Sequence, residues 1–306
     1  MRVPLALLAL LLAAAPAFGA AACPAVEQAL TFVDSNRGRS IAATLRLPAG
    51  NGRLATILWA PGMGGTRTTG AVWARAWVAA GLGVLQLQFP GADAAVYASP
   101  DPAERQARVQ AAISPAAQAD RTADIRFVAD ELARRRDDAC GLGRVDLDRL
   151  GLAGHSIGAW TVLTLAGQGG ARFADRRFRA FAAFSATALP PAERQAAYAS
   201  IRAPMLIASG SRDGLLPPGD AAALAQARDA RTGMFAAMPA DGRKALLWLE
   251  GADHMAFAGT RSDAAASHVN AAVIATTTGW WRRWLLDDRG AMPALALAAG
   301  DEWQRK

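Results

Sequence analysis

The chain has 306 residues, 52% hydrophobic and 19% charged, with a formal net charge of +7 and two cysteines. That length allows one large α/β domain or two small ones, and the apolar share excludes a disordered chain. Two cysteines exclude a disulfide-framework miniprotein and a four-cysteine zinc module. The cations are nearly all arginine and scattered, with Lys244 and Lys306 the only lysines. There is no basic tail and no basic patch interleaved with aromatics, which argues against nucleic acid as a partner.

Residues 1–22 read as a signal peptide: Arg2, then an apolar run from Pro4 to Ala15, then Ala17-Phe18-Gly19-Ala20 with small residues at cleavage spacing. The run is short for a bilayer span, and no later stretch reaches the roughly 18 apolar residues of a membrane helix. An uncleaved anchor is the alternative. Lipid attachment at Cys23 is a further one, although the Leu usual three residues before the cysteine is missing. The remaining 23–306 is expected to be a single domain, periplasmic or secreted. There Cys23 and Cys140 would tend to close into a disulfide, worth about 4–5 kcal/mol for so long a loop in the chain-entropy model. Two unconnected thiols are the other possibility.

Leu30 to Val33 and Ile41 to Leu47 flank a turn-rich connection and predict an antiparallel hairpin. Leu54 to Trp59 reads as a buried strand, Val72 to Ala80 as a helix, Gly83 to Phe89 as a strand and Asp120 to Arg136 as a long helix. A strand over Leu150 to Ala153 and a helix over Ile157 to Ala166 follow, then strands at Phe178 to Phe184 and Met205 to Ala208. A helix at Ala221 to Arg231, a strand at Ala245 to Leu249 and a helix at Ala264 to Leu286 complete the pattern. Such alternation argues for an α/β fold whose mainly parallel sheet is covered on both faces. Gly91 to Ala119, with Tyr97 and three prolines, reads as a long connection of the kind that forms lids. Leu189 to Arg202 is too short for a large cap domain, and Asp287 to Lys306 reads as a peripheral tail.

Gly154-His155-Ser156-Ile157-Gly158 matches G-x-S-x-G between a predicted strand and a predicted helix, the context that this strained turn requires. A serine hydroxyl needs a base, and there are three histidines. His155 sits inside the turn, pointing elsewhere, and His268 lies early in a helix. His254 follows the last predicted strand and is the expected base. Asp213, in the turn after the strand at Met205, is the expected carboxylate, with Asp253 its nearest competitor. The order Ser156, Asp213, His254 is that of an α/β-hydrolase. Two N–H donors for an oxyanion are expected from Ile157, just after the serine, and from Met63 in Pro61-Gly62-Met63-Gly64-Gly65.

On Pro61-Gly62-Met63, Gly154 to Gly158, Asp213-Gly214-Leu215-Leu216-Pro217 and Asp253-His254, the chain resembles secreted α/β-hydrolases of the dienelactone-hydrolase-like group. It is also similar to bacterial polyester hydrolases and platelet-activating-factor acetylhydrolases. The resemblance implies an eight-stranded sheet and ester hydrolysis through an acyl-serine. The chain departs from dienelactone hydrolases in having Ser156 in place of cysteine. It departs from polyester hydrolases in having Met63 in place of an aromatic residue, with no tryptophan near Phe184 to Thr187. Trp73, Phe89, Tyr97, Met255 and Phe257 are candidates to line an acyl pocket, with core packing the competing role for each.

The expected activity is cleavage of small-molecule or polymeric carboxylic esters, with short acyl groups favoured by the lack of a large cap. No metal or cofactor is implied. An exported serine peptidase, an acyltransferase and a non-catalytic binding protein are the alternatives on the same residues.

Overall fold

A computed structural model describes residues 21–306 apart from 136–137, 215–220, 264–265 and 292–296. The signal-peptide reading of residues 1–22 therefore falls almost wholly outside the described residues. All strands join one mixed sheet: β1 (Val26–Asp34), β2 (Arg39–Leu47), β3 (Leu54–Ala60), β4 (Gly83–Gln88), β5 (Val145–His155), β6 (Phe178–Phe184), β7 (Met205–Arg212), β8 (Lys244–Asp253) and β9 (Glu302–Arg305). Their spatial order is β1-β2-β4-β3-β5-β6-β7-β8-β9. From β4 through β8 every neighbouring pair is parallel, and antiparallel strands close both edges.

Among the described residues the sheet has nine strands, one more than expected. The extra strand is β9, formed by the stretch read as a peripheral tail. Its four residues carry no apolar alternation long enough to mark a strand, and β8 supplies the hydrogen-bonding edge that orders it, with Leu247 opposite Trp303.

Seven α-helices lie among the described residues: α1 (Ala71–Ala79), α2 (Pro102–Ala112), α3 (Pro115–Arg134), α4 (Ile157–Leu165), α5 (Pro191–Tyr198), α6 (Ala221–Ala237) and α7 (Ser267–Leu285). The stretch from Gly91 to Ala119, read as a long connection, is largely helical. It holds a short 3-10 turn at Ala94–Tyr97, then α2, then the first turn of α3. Two of its three prolines, Pro102 and Pro115, start helices. Asp101 and Ser114 cap the N–H groups of Ala103 and Ala117, with Pro102 and Pro115 in the first turn, where the missing proline N–H leaves no helical bond unmade.

Strand residues alternate between two cores. Leu58, Leu152, Phe181 and Ile207 face the side packed with Val128 of α3, Val162 of α4 and Met234 of α6. Ile57, Ala153, Ala182 and Leu206 face the side holding Trp73 and Trp77 of α1 and Trp280 and Trp281 of α7. Burial on both faces explains why β3 reads as an unbroken apolar run. Trp77 Nε1 donates a hydrogen bond to Thr277 Oγ1 at 2.8 Å, so its one polar atom is satisfied within the core. No helix among the described residues is long and apolar enough to cross a membrane.

Cys23 and Cys140 form a disulfide with Cα atoms 5.4 Å apart. It ties the segment before edge strand β1 to the connection after α3. Replacing both cysteines by serine is expected to lower the unfolding free energy by about 2–5 kcal/mol. Urea denaturation of the two forms checks this, and equal midpoints would remove the bridge from the stability of the fold.

Candidate active site

The order of the parallel strands reverses at β3, whose neighbours β4 and β5 lie to either side of it. In open α/β sheets ligands bind at the carboxyl ends of strands around such a switch point. Ser156 follows β5, Asp213 follows β7 and His254 follows β8, so all three occupy that edge.

Ser156 has φ 54° and ψ −121°, a conformation that L-residues rarely adopt, directly before α4. The surrounding backbone is packed too closely for side chains. A Cβ on Gly154 would lie 2.7 Å from the carbonyl oxygen of Gly158, and one on Gly158 would overlap that of Ala60. These contacts give the two glycines of the motif their steric reason.

Three side chains form one relay. Ser156 Oγ is 3.0 Å from His254 Nε2, and His254 Nδ1 is 2.8 Å from Asp213 Oδ1. Ser156 and His254 are half-buried, whereas Asp213 is 1% exposed. Burial opposes the charge on Asp213, but hydrogen bonds from His254 and Ser209 and the nearby Arg231 cation outweigh it and hold the carboxyl below the usual carboxylate range. A carboxylate in that position fixes the imidazole tautomer with Nδ1 protonated. Nε2 is then the acceptor facing the hydroxyl. Such an arrangement can take a proton from Ser156 Oγ and stabilise the resulting imidazolium. Asp253 is engaged elsewhere: it caps Ala256 N–H at 2.8 Å and pairs with Arg261.

No protein-family model matches this chain, and no curated protein matches it.

The Met63 loop lies against the serine. A Cβ on Gly62 would be 3.2 Å from Ser156 Cβ and 2.8 Å from His155 Nδ1. Among the described residues, neither the Met63 nor the Ile157 backbone N–H has a protein acceptor. The Tyr97 ring covers Gly64, and Met255 follows His254 in the chain. Both are exposed, at 49% and 53%. Trp73, Phe89 and Phe257 belong instead to the core, at 0%, 2% and 0% exposure. Trp73 Nε1 donates to the Phe257 carbonyl at 3.2 Å, which packs α1 against the loop after β8. These three residues were candidates for the pocket because sequence spacing does not distinguish a buried aromatic ring from one at a cavity wall. Leu215, Leu216 and Pro217 of the Asp213 motif lie outside the described residues.

His155 is nearer the site than its position in the turn suggested. It is 3% exposed, its ring centroid lies 4.7 Å from that of His254, and its Nε2 donates to the His254 carbonyl at 2.9 Å. It thus holds the loop that carries the expected base. His268 pairs with Asp301 at 2.8 Å, away from Ser156. Ser209 and Arg231 escaped the sequence reading because a strand serine and a helix arginine carry no local signal of a buried partner. Among the described residues no group of His, Cys, Asp and Glu is arranged to hold a metal ion.

Burial, and next the charge of His254, lower the His155 pKa to about 4. As pH falls from the unfolded-state value of about 6.5, the unfolded chain takes up this proton before the folded one. Stability is thus fully present above that pH and is lost progressively down to about 4, by about 3 kcal/mol in all. His155→Gln is expected to lose less stability than wild type between about pH 7 and about pH 4, as measured by chemical denaturation. Equal losses would show that His155 is not the titrating group.

Proposed function

We propose that this chain is an exported serine hydrolase on an α/β-hydrolase fold, cleaving carboxylic esters through an acyl-serine intermediate. The observation that carries the reading is the continuous Ser156–His254–Asp213 relay, with contacts of 3.0 and 2.8 Å, at the carboxyl edge of the sheet. The strained Ser156 backbone supports it, as does the chain order of the three residues. The Cys23–Cys140 disulfide supports export.

In the proposed reaction Ser156 Oγ bonds to the ester carbonyl carbon while its proton passes to His254 Nε2. The carbonyl oxygen becomes an oxyanion that accepts hydrogen bonds from the N–H groups of Met63 and Ile157. Preorganised donors of this kind are worth about 3–4 kcal/mol each in other enzymes. His254 then protonates the leaving alcohol as the C–O bond breaks. Water adds to the acyl-serine with its proton going to His254, and collapse releases the acid and returns the proton to Ser156. Asp213 remains ionised throughout.

Tyr97, against Gly64 of the Met63 loop, and Met255, next to His254 in the chain, are exposed and are the side chains proposed to meet the substrate. The segment between β6 and β7 holds the eight-residue helix α5 and is too short for a large cap domain, which favours small acyl groups.

Wild-type protein is expected to hydrolyse p-nitrophenyl acetate and to be labelled by a fluorophosphonate probe. Ser156→Ala should lose the labelling and about 10⁴-fold or more of kcat, and Asp213→Asn about 10⁴-fold. Hydrolysis at equal rates by wild type and Ser156→Ala would end this reading.

A further inference from the structure

The carboxylate that orients His254 has a cation behind it. Arg231, in the interior of α6, is 3% exposed. Its Nη2 lies 3.2 Å from Asp213 Oδ1, the same oxygen that receives His254 Nδ1. Its Nε donates to the Asp213 backbone carbonyl at 2.9 Å. Its Nη1 donates to the Ser185 carbonyl and to Thr187 Oγ1, each at 2.8 Å. One planar fork therefore joins α6, the turn after β7 and the end of β6, where Ser185 has φ 52°. A lysine has neither the fixed geometry nor enough directed donors for this set.

We propose that Arg231 is a positioning residue that aims the Asp213 carboxylate at His254 and partly offsets its charge, thereby setting how far into acid pH the imidazole remains a base. This role rests on the hydrolase reading above. The physical reason is the sharing of one oxygen. A lone buried carboxylate strongly favours the imidazolium, and so keeps the base protonated to higher pH. A guanidinium on the same oxygen opposes the imidazolium and releases the base. Burial, partly offset by Asp213, holds the Arg231 pKa below its ordinary value.

The other groups at this corner are identifiable. His155, at the end of β5, is bonded to the His254 carbonyl. Asp253 is paired with Arg261 at 3.4 Å and stands opposite Arg212 in the sheet. Among the described residues, Arg231 is the arginine or lysine that forms an ion pair with the Asp213 carboxylate.

The test compares the pH dependence of kcat/KM for p-nitrophenyl acetate in wild type, Arg231→Met and Arg231→Lys. With Met, the acid limb is expected to move to higher pH by about one unit. With Lys, which keeps the charge but not the fork, kcat should fall while the limb stays near that of wild type. A mere cross-link would lower activity or stability in both variants without moving the limb. An unmoved limb in Arg231→Met overturns the proposal.

NMR titration of the His254 ring, assigned by its loss in His254→Asn, reads the same shift without turnover. If wild type has no Ser156-dependent activity, the hydrolase reading fails while the ring titration still decides the role of Arg231. Should Arg231→Met not fold, the Asp213→Asn/Arg231→Met double variant, which removes both charges, is expected to fold. A double variant as unstable as the single one would overturn the pairing.

Discussion

Asp213 carries its negative charge with almost no contact with water, and the ends of β6, β7 and β8 are arranged around that charge. An unpaired carboxylate at this depth would cost several kcal/mol. Here it accepts from Ser209 Oγ at 2.6 Å on one oxygen and from His254 on the other, and that second oxygen also lies 3.2 Å from Arg231 Nη2 as an ion pair. Each of the three partners comes from a different part of the chain: the strand before the carboxylate, the loop after β8 and the middle of α6. The polar network and the position of the helix are therefore a single constraint, because removing any donor leaves a buried acceptor short of a partner.

The serine side of the site is built by steric exclusion. Gly154, Gly158 and Gly62 allow three backbone segments to approach where a methyl group would collide with a carbonyl oxygen, with His155 or with Ser156. That close approach sets the Met63 loop beside the Ser156 turn. The strain at Ser156 persists because β5 on one side and α4 on the other are both locked in the core, which is the condition under which such backbone conformations survive. His155 completes the support. Its neutral ring bonds the His254 carbonyl from below, so the loop after β8 is held by a backbone contact as well as by its own side chain.

The two faces of the sheet differ in how they are filled. One core is largely aliphatic, from α3, α4 and α6, while the other is rich in tryptophan from α1 and α7. Indole rings fill wide gaps between helix and sheet, but each carries an N–H that needs an acceptor. Trp73, Trp77 and Trp280 meet theirs in the Phe257 carbonyl, Thr277 and the Phe181 carbonyl. At the margins, the disulfide ties down the segment before β1 and β9 pairs with β8, so the parallel centre is flanked by antiparallel strands.

Much of this was written locally in the chain. Alternating apolar runs and amphipathic stretches specified an α/β fold with a mainly parallel sheet, since burial on two faces and on one stripe leave different periodicities. Gly154 to Gly158 marked a sharp turn because only small residues tolerate it, and three histidines were few enough to weigh one by one. What the sequence did not determine depends on contacts between distant segments. The ninth strand exists because β8 offers an edge. Trp73 and Phe89 are core residues because helices and strands close over them. Asp101-Pro102 and Ser114-Pro115 start helices where proline alone suggested a loop. Arg231 looks like any arginine of a polar helix face, and only folding turns it inward onto Asp213, because the energy of a buried charge is set by what surrounds it in space rather than by its neighbours in the chain.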